Sequence, residues 1–349
     1  MAGKIGIGVV SFAHGHVGMY CNMIRGFDDA ELIAAWDDDE ERGKANAANF
    51  EIPFVSDLDE LLANPAIDCV MIACETNKHA GLAVKAMEAG KSVLLQKPMA
   101  ITLEDCDRII ATRNSTGRWF SMAFQMRCDP ANILMRQLVR DGAVGRVGFI
   151  RRRHCIGMLY NIEWAKGPGL WHVSAEANKG MFFDDAIHAL DWLYWTVGKK
   201  PVSVIAEIDN VLSNVAPDDT GLALYRFDDG CFADIFNSSV TWAGENTTEI
   251  YGDKGVIIQN HGDGPSGVLP PSPIAVKLFQ SEKSELGWQV QDIELPKTGH
   301  GERISGVARP FIDALKSGVP MCSAEEGKVS VEMCLAAYES AETGRRIHL

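Results

Sequence analysis

The first 125 residues alternate short apolar runs with helical patterns, and this alternation constrains the fold more than any other feature. KIGIGVV (4–10), ELIAAW (31–36), IDCVMIAC (67–74), KSVLL (91–95) and WFSMAF (119–124) read as strands. Between them, 17–25, 40–49, 79–89 and 103–114 read as helices, with Gly90 placed to stop the third. Strands that are apolar on nearly every residue are buried on both faces. A helix between each pair implies parallel strands joined by right-handed crossovers. The expectation for 1–125 is an α/β domain with a parallel sheet.

The pattern changes after residue 125. A helix is expected at 132–141, a strand at 147–154, a Trp- and Gly-containing loop at 157–180 and a helix at 183–197. Strand-like runs follow at 202–208, 221–227, 231–236, 247–252 and 255–259, several separated by turns such as Asp228-Asp229-Gly230. The Gly- and Pro-rich stretch 261–273 reads as a loop, and helices close the chain near 303–317 and 324–343. With 349 residues, one core is too few, so a second, α+β domain with a mainly antiparallel sheet is expected over 126–349.

A net charge of −14 disfavours nucleic acid and anionic membranes as partners, because phosphate binding needs clustered Lys and Arg. The one basic cluster, Arg151 to Arg153, lies in a strand pattern whose side chains alternate between faces. Nine scattered cysteines form no C-x-x-C pair, which argues against a zinc ribbon or disulfide framework and fits a reducing cytoplasm. No run approaches 18 apolar residues, so no spanning helix is expected.

A strand, a tight turn, a helix and an acid ending the second strand outline a dinucleotide site. Gly6-x-Gly8-x-x-Ser11 matches the glycine fingerprint by spelling, but both glycines fall inside the first strand. The better register puts the turn at Ser11-Phe12-Ala13-His14-Gly15-His16, with amides able to face a pyrophosphate. Asp37 stands 26 positions beyond Ser11, near the spacing of the acid that binds a ribose diol. A carboxylate there repels a 2′-phosphate and favours NAD over NADP; capping the next helix is the competing role for Asp37 to Asp39.

Lys97 follows the strand KSVLL and precedes Pro98, which cannot continue a central strand. It therefore sits at the carboxyl end of a parallel strand, where open α/β sheets bind ligands. Asp184 and His188 are four apart, and in a helix both project from one face. A histidine beside a carboxylate suits proton transfer from a hydroxyl. Asp185 competes for the acid's role and Asp191 for support of His188. His14, His16, Asp184 and His188 offer metal-ligand types, but no further ligands stand at a recognisable spacing, so no metal is expected.

These motifs together resemble the glucose–fructose oxidoreductase, inositol dehydrogenase and MocA family (Gfo/Idh/MocA). Gln96-Lys97-Pro98 is similar to its Glu-Lys-Pro, and Asp184 to His188, then Ala189-Leu190-Asp191, to its Asp-x-x-x-His-Ala-Leu-Asp. Cys74-Glu75-Thr76-Asn77-Lys78-His79 is similar to its loop ending in His, and Ala89-Gly90 to its helix end. The resemblance implies a Rossmann domain followed by a domain whose large open sheet serves as a dimer or tetramer interface. It implies oxidation of a secondary alcohol on a sugar or polyol, with Lys97 and His188 handling the hydroxyl proton and Asp184 positioning substrate or histidine. It also places Cys74, Glu75, Thr76, His79 and Gln96 at the cofactor. Gln96 for Glu, Ala186 for the common Gly, and the rewritten glycine turn are departures.

Arg127, His154, Tyr160, Trp164, Trp171 and His172 are the expected substrate contacts, since aromatic faces with polar donors suit sugar rings. Two other functions compete: elimination or glycoside cleavage through a transient keto-sugar on a resident NAD, and a nucleotide-sensing regulator. The sensor has no need of Lys97, Asp184 and His188 together.

Overall fold

A computed structural model describes residues 3–241, 247–259, 276–294 and 303–349. The loop expected at 261–273 lies outside them. The chain divides into two compact units, Met1–Gln125 with Ile304–Lys328, and Met126–Arg303 with Val329–Leu349. A single boundary therefore does not describe the division, because 304–328 belongs with the first unit.

The first unit holds β1 (Ile5–Val10), β2 (Ala30–Trp36), β3 (Cys69–Ile72), β4 (Ser92–Leu95) and β5 (Phe120–Met122). All pair in parallel in the order β2-β1-β3-β4-β5. An isolated parallel bridge from Ala35 to Phe54 adds the vestige of a further strand outside β2. The order reverses between β1 and β3, and the crevice outside their carboxyl ends is the ligand position of such sheets. The helices form where their ends are chemically marked. Asp39 caps Glu40–Asn49 by accepting from the Arg42 amide, and Thr102 caps Leu103–Thr116. Gly90, at φ 84°, follows the helix His79–Glu88 as expected. Leu58–Ala63, six residues capped by Asp57, is a helix the pattern did not announce.

The second unit holds β6 (Val147–Cys155), β7 (Ser203–Asp209), β8 (Thr220–Arg226), β9 (Phe232–Ser238), β10 (Thr247–Gly252), β11 (Gly255–Gln259), β12 (Val276–Gln280), β13 (Gln289–Val290) and β14 (Ile347–His348). They form one sheet ordered β13-β12-β11-β10-β6-β9-β8-β7-β14, antiparallel except for β6 beside β9. Helices Pro130–Arg140 and Ile187–Val197 accompany it. The alternation of β6 buries Arg152 and exposes Arg151 and Arg153, so the basic run makes no continuous patch. Arg152 lies 4.2 Å from the Trp192 ring and donates to Thr248 at 2.9 Å. The opposite face carries an aromatic ladder on three adjacent strands, with exposed Tyr251 and Phe232 flanking half-buried Phe149.

Two expectations are corrected. Residues 157–180 are not simply loop: Ile162–Lys166 and Ala175–Asn178 are short helices capped by Asn161 and Ser174. The helix expected at 183–197 begins as a π-helical turn, Phe182–Ala186, before the α-helix Ile187–Val197. Among the described residues, no helix is long and apolar enough to cross a membrane.

Candidate functional site

The turn after β1 has the expected register. Gly6 and Gly8 lie within β1, and the bend comes at Ser11, whose φ of 70° is rare for a residue with a Cβ. The Ser11 hydroxyl accepts from the Ala13 amide at 3.2 Å, and the His14 amide donates to the Ala73 carbonyl at 2.8 Å. The helix His16–Ile24 then starts with Gly15 as N-cap and no acid in its first turn. No atom lies within 4 Å of where a Cβ on Gly15 would stand. A helix N-terminus this open, without a competing carboxylate, suits a dinucleotide phosphate.

The three acids after β2 do three different things. Asp37 has no side-chain exposure and accepts from the Phe12 amide at 2.8 Å, the Asp39 amide at 3.1 Å and the Ser11 hydroxyl at 3.3 Å. Arg42 adds a bidentate pair, Nε at 2.9 Å and a terminal nitrogen at 2.6 Å. Asp39 is the helix cap. Asp38 pairs with Arg42 at 3.1 Å and with Lys78. Burial acts to raise the Asp38 carboxyl, but Lys78 and Arg42 prevail and hold it below the usual carboxylate range. Lys78 also meets Glu75 at 2.8 Å; these two acids raise its ammonium above the ordinary value against the effect of burial.

Beyond β3, Cys74 and Thr76 are buried, and Cys74's thiol is pushed well up by burial. His79 is wholly buried, with Nδ1 2.7 Å from the Pro98 carbonyl and Nε2 3.2 Å from the Cys74 carbonyl. At the end of β4, Gln96 donates to the Tyr20 hydroxyl at 3.2 Å and accepts from the Lys97 amide at 3.0 Å. Lys97 is 2 % exposed. Thus Ser11, Phe12, Ala13, His14, Asp37, Cys74, Glu75, Thr76, His79, Gln96 and Lys97 all lie beyond carboxyl ends of one parallel sheet.

In the second unit the π-helical turn widens the spacing before His188. Asp184 finds its partner twelve residues upstream: His172 Nδ1 is 3.0 Å from its carboxylate. The His172 ring stacks on Trp171 with centroids 3.5 Å apart and faces Trp164 at 5.1 Å. His188 lies against His154, ring centroids 5.5 Å apart, and both are buried. Asp185 accepts from Ser239 at 2.7 Å, and the Tyr160 hydroxyl donates to the Val240 carbonyl at 2.6 Å. Asp191, expected to support His188, takes a bidentate pair from Arg127 at 2.9 and 2.7 Å. Arg127, expected at substrate, is buried in that ion pair. The sequence did not signal the His172–Asp184 pair, since no spacing rule joins a loop residue to a helix twelve positions on. Among the described residues, no three His, Cys, Asp or Glu side chains gather as a metal-holding group.

Comparison with known proteins agrees with both halves of this architecture. Residues 5–124 match the oxidoreductase family with an NAD-binding Rossmann fold, and residues 133–258 match the GFO/IDH/MocA C-terminal domain. The chain belongs to the Gfo/Idh/MocA family. Among Gfo/Idh/MocA relatives, the myo-inositol 2-dehydrogenase of Thermotoga maritima is 24 % identical, with 99 % of this chain and 98 % of that protein covered. The 1,5-anhydro-D-fructose reductase of Ensifer adhaerens is also 24 % identical, with 90 % of each covered. An oxidoreductase from Agrobacterium radiobacter, solved with NAD+, L-tartaric acid and magnesium, shares the fold at a TM-score of 0.84 and 19 % identity, covering 99 % of this chain and 98 % of that one.

Proposed function

We propose that the protein is an NAD-dependent dehydrogenase, moving a hydride between a secondary hydroxyl carbon of a sugar, glycoside or inositol-like polyol and the nicotinamide. The observation that carries this reading is Lys97. It is a lysine 2 % exposed, held at the carboxyl end of a parallel strand in an NAD-binding Rossmann domain. Burying a lysine is costly and is rarely done without a task. The names of relatives, an inositol dehydrogenase and an anhydrofructose reductase, support the substrate class.

The turn Ser11 to Gly15 would receive the pyrophosphate, and the loop Cys74 to His79 would flank the dinucleotide. The nicotinamide, when bound, accepts the hydride. Lys97 and His188 exchange the hydroxyl proton as the carbon–hydrogen bond breaks. Asp184, fixed by His172, orients the substrate, and Trp164, Trp171 and His154 line its site. The acids after β2 favour NAD over NADP through repulsion of a 2′-phosphate. The aromatic ladder, with Tyr251, Phe232, Ile205 and Leu222 exposed on the same sheet, forms a homo-oligomer interface. Scattered cysteines fit a cytoplasmic protein.

The test is reduced-nicotinamide absorbance while inositols, aldoses and glycosides are offered with NAD. Turnover on one of them, abolished by Lys97→Ala while NAD still binds, is the expected result. Silence across the panel, or full turnover in the variant, refutes the proposal. Product without net NADH would identify the keto-sugar elimination route instead.

A further inference from the structure

Asn237 is a buried amide in the second unit with none of its hydrogen-bonding capacity used. It lies on β9, on the inward face with Ala233 and Ile235, and is fully buried. Among the described residues, neither its Oδ1 nor its Nδ2 has a hydrogen-bond partner. The polar residues that follow it are engaged: Ser238 meets Thr220 at 3.1 Å, and Ser239 donates to Asp185 at 2.7 Å. A side-chain amide carries two N–H donors and two lone pairs. Burying one without a bond is costly, so such a group requires a partner from outside the chain.

The register puts Asn237 beside the candidate proton-handling groups. β6 and β9 run parallel with His154 opposite Asn237, so the two side chains share a face, one strand spacing of about 4.8 Å apart. His154 in turn lies against His188. On its other side Asn237 pairs with Gly221 of β8, which has no side chain. The Phe182 ring fills that place, 2.3 Å from where a Cβ would stand. An imidazole and an apolar wall thus flank the amide. The π-helical turn that carries Asp184 is tied to the end of the same strand through Asp185 and Ser239. A water suits this niche, and a hydroxyl of a bound ring offers the same donor and acceptor in its place.

We propose that Asn237 is a specificity-determining residue, whose amide binds hydroxyls of the sugar or polyol other than the one oxidised, on the His154 side of His188. The inference rests on the dehydrogenase reading for the class of ligand. Oδ1 accepts from one hydroxyl and Nδ2 donates to its neighbour, so the amide suits two adjacent hydroxyls. A methylene in place of either strands a buried amide atom, which is how such a group rejects a deoxy analogue.

The experiment measures kcat and KM with NAD for the whole protein. The probes are myo-inositol, D-glucose and methyl α-D-glucoside, one from each substrate class, with their monodeoxy derivatives. Asn237→Leu and Asn237→Ala are compared with Thr196→Val. Thr196 is also buried, its hydroxyl has no partner among the described residues, and it lies about two turns beyond His188 in the helix Ile187–Val197. Both Asn237 variants are expected to raise KM about tenfold or more with kcat little changed, because binding common to ground and transition states is lost. One monodeoxy derivative should show the same loss with the unsubstituted protein and no further loss with either variant. Without substrate, Asn237→Leu should melt no lower than the unsubstituted protein, since an apolar group replaces an amide that made no bonds. Thr196→Val should leave kcat and KM unchanged. An unchanged KM in both Asn237 variants overturns the assignment and leaves the dehydrogenase proposal standing. A lowered melting temperature in Asn237→Leu, or equal effects of the Asn237 and Thr196 substitutions, would mark Asn237 as packing alone and also overturns it. Silence of the unsubstituted protein across inositols, aldoses and glycosides removes both proposals.

Discussion

His79 should make the first unit lose stability in mild acid, and the structure supplies the size of the effect. The ring is wholly buried, and burial is the largest influence on it, pushing its pKa from 6.5 down to about 4. Two carbonyls oppose this, Pro98 at 2.7 Å and Cys74 at 3.2 Å, because both prefer an N–H facing them. A neutral ring can satisfy one, and the shorter contact assigns that proton to Nδ1. Lys97 acts in the same direction as burial, disfavouring a second positive charge. Between pH 6.5 and about 4 the unfolded state therefore binds a proton that the folded state refuses. The stabilising contribution is whole above about 6.5 and is lost as pH falls towards 4. That gap, at about 1.4 kcal/mol per pH unit, amounts to roughly 3 kcal/mol. Urea unfolding at a series of pH values, for the protein and for His79→Gln, isolates the effect, since carboxylates common to both cancel in the difference. The difference curve should fall by roughly 3 kcal/mol across that range. A flat curve, or one in which the histidine gains stability in acid, would mean that the carbonyls outweigh burial and hold an imidazolium.

Two further substitutions probe the packing around each half of the machinery. Gly6→Ala places a Cβ 1.7 Å from the Ala66 carbonyl oxygen, so backbone must move. It should cost about 3 kcal/mol and reduce NAD binding, as a thermal melt and a titration will record. Arg127→Met leaves the Asp191 carboxylate buried without its bidentate partner. It should cost about 3–5 kcal/mol, while Arg127→Met with Asp191→Leu should recover most of that loss in the same denaturation assay.

Local chemistry made much of the fold readable. Continuous apolar runs identify β1 to β5, and a capping acid or glycine marks the helix ends, so those elements fall within a few residues of expectation. Elements too short to carry a period escaped. Leu58–Ala63 spans six residues, and β13 and β14 pair over two residues each. The π-helical turn at Phe182–Ala186 also escaped, because it uses the same residue types as an α-helix. Its effect is chemical: Asp184 reaches His172, while His188 lies beside His154.

By itself the sequence determined which residues stand beyond the strand ends: the turn from Ser11, the acids Asp37 to Asp39, the loop to His79 and the Gln96–Lys97 pair. That information is local, carried by periodicity and by what proline and glycine permit. Only the tertiary structure decided which polar groups keep capacity for a ligand. Asp37 is saturated by donors from Ser11 and Phe12, far away in sequence, together with Arg42, whereas the Asn237 amide is buried with no partner among the described residues. A carboxylate has a fixed number of lone pairs, and only the packed chain determines which donors arrive to fill them.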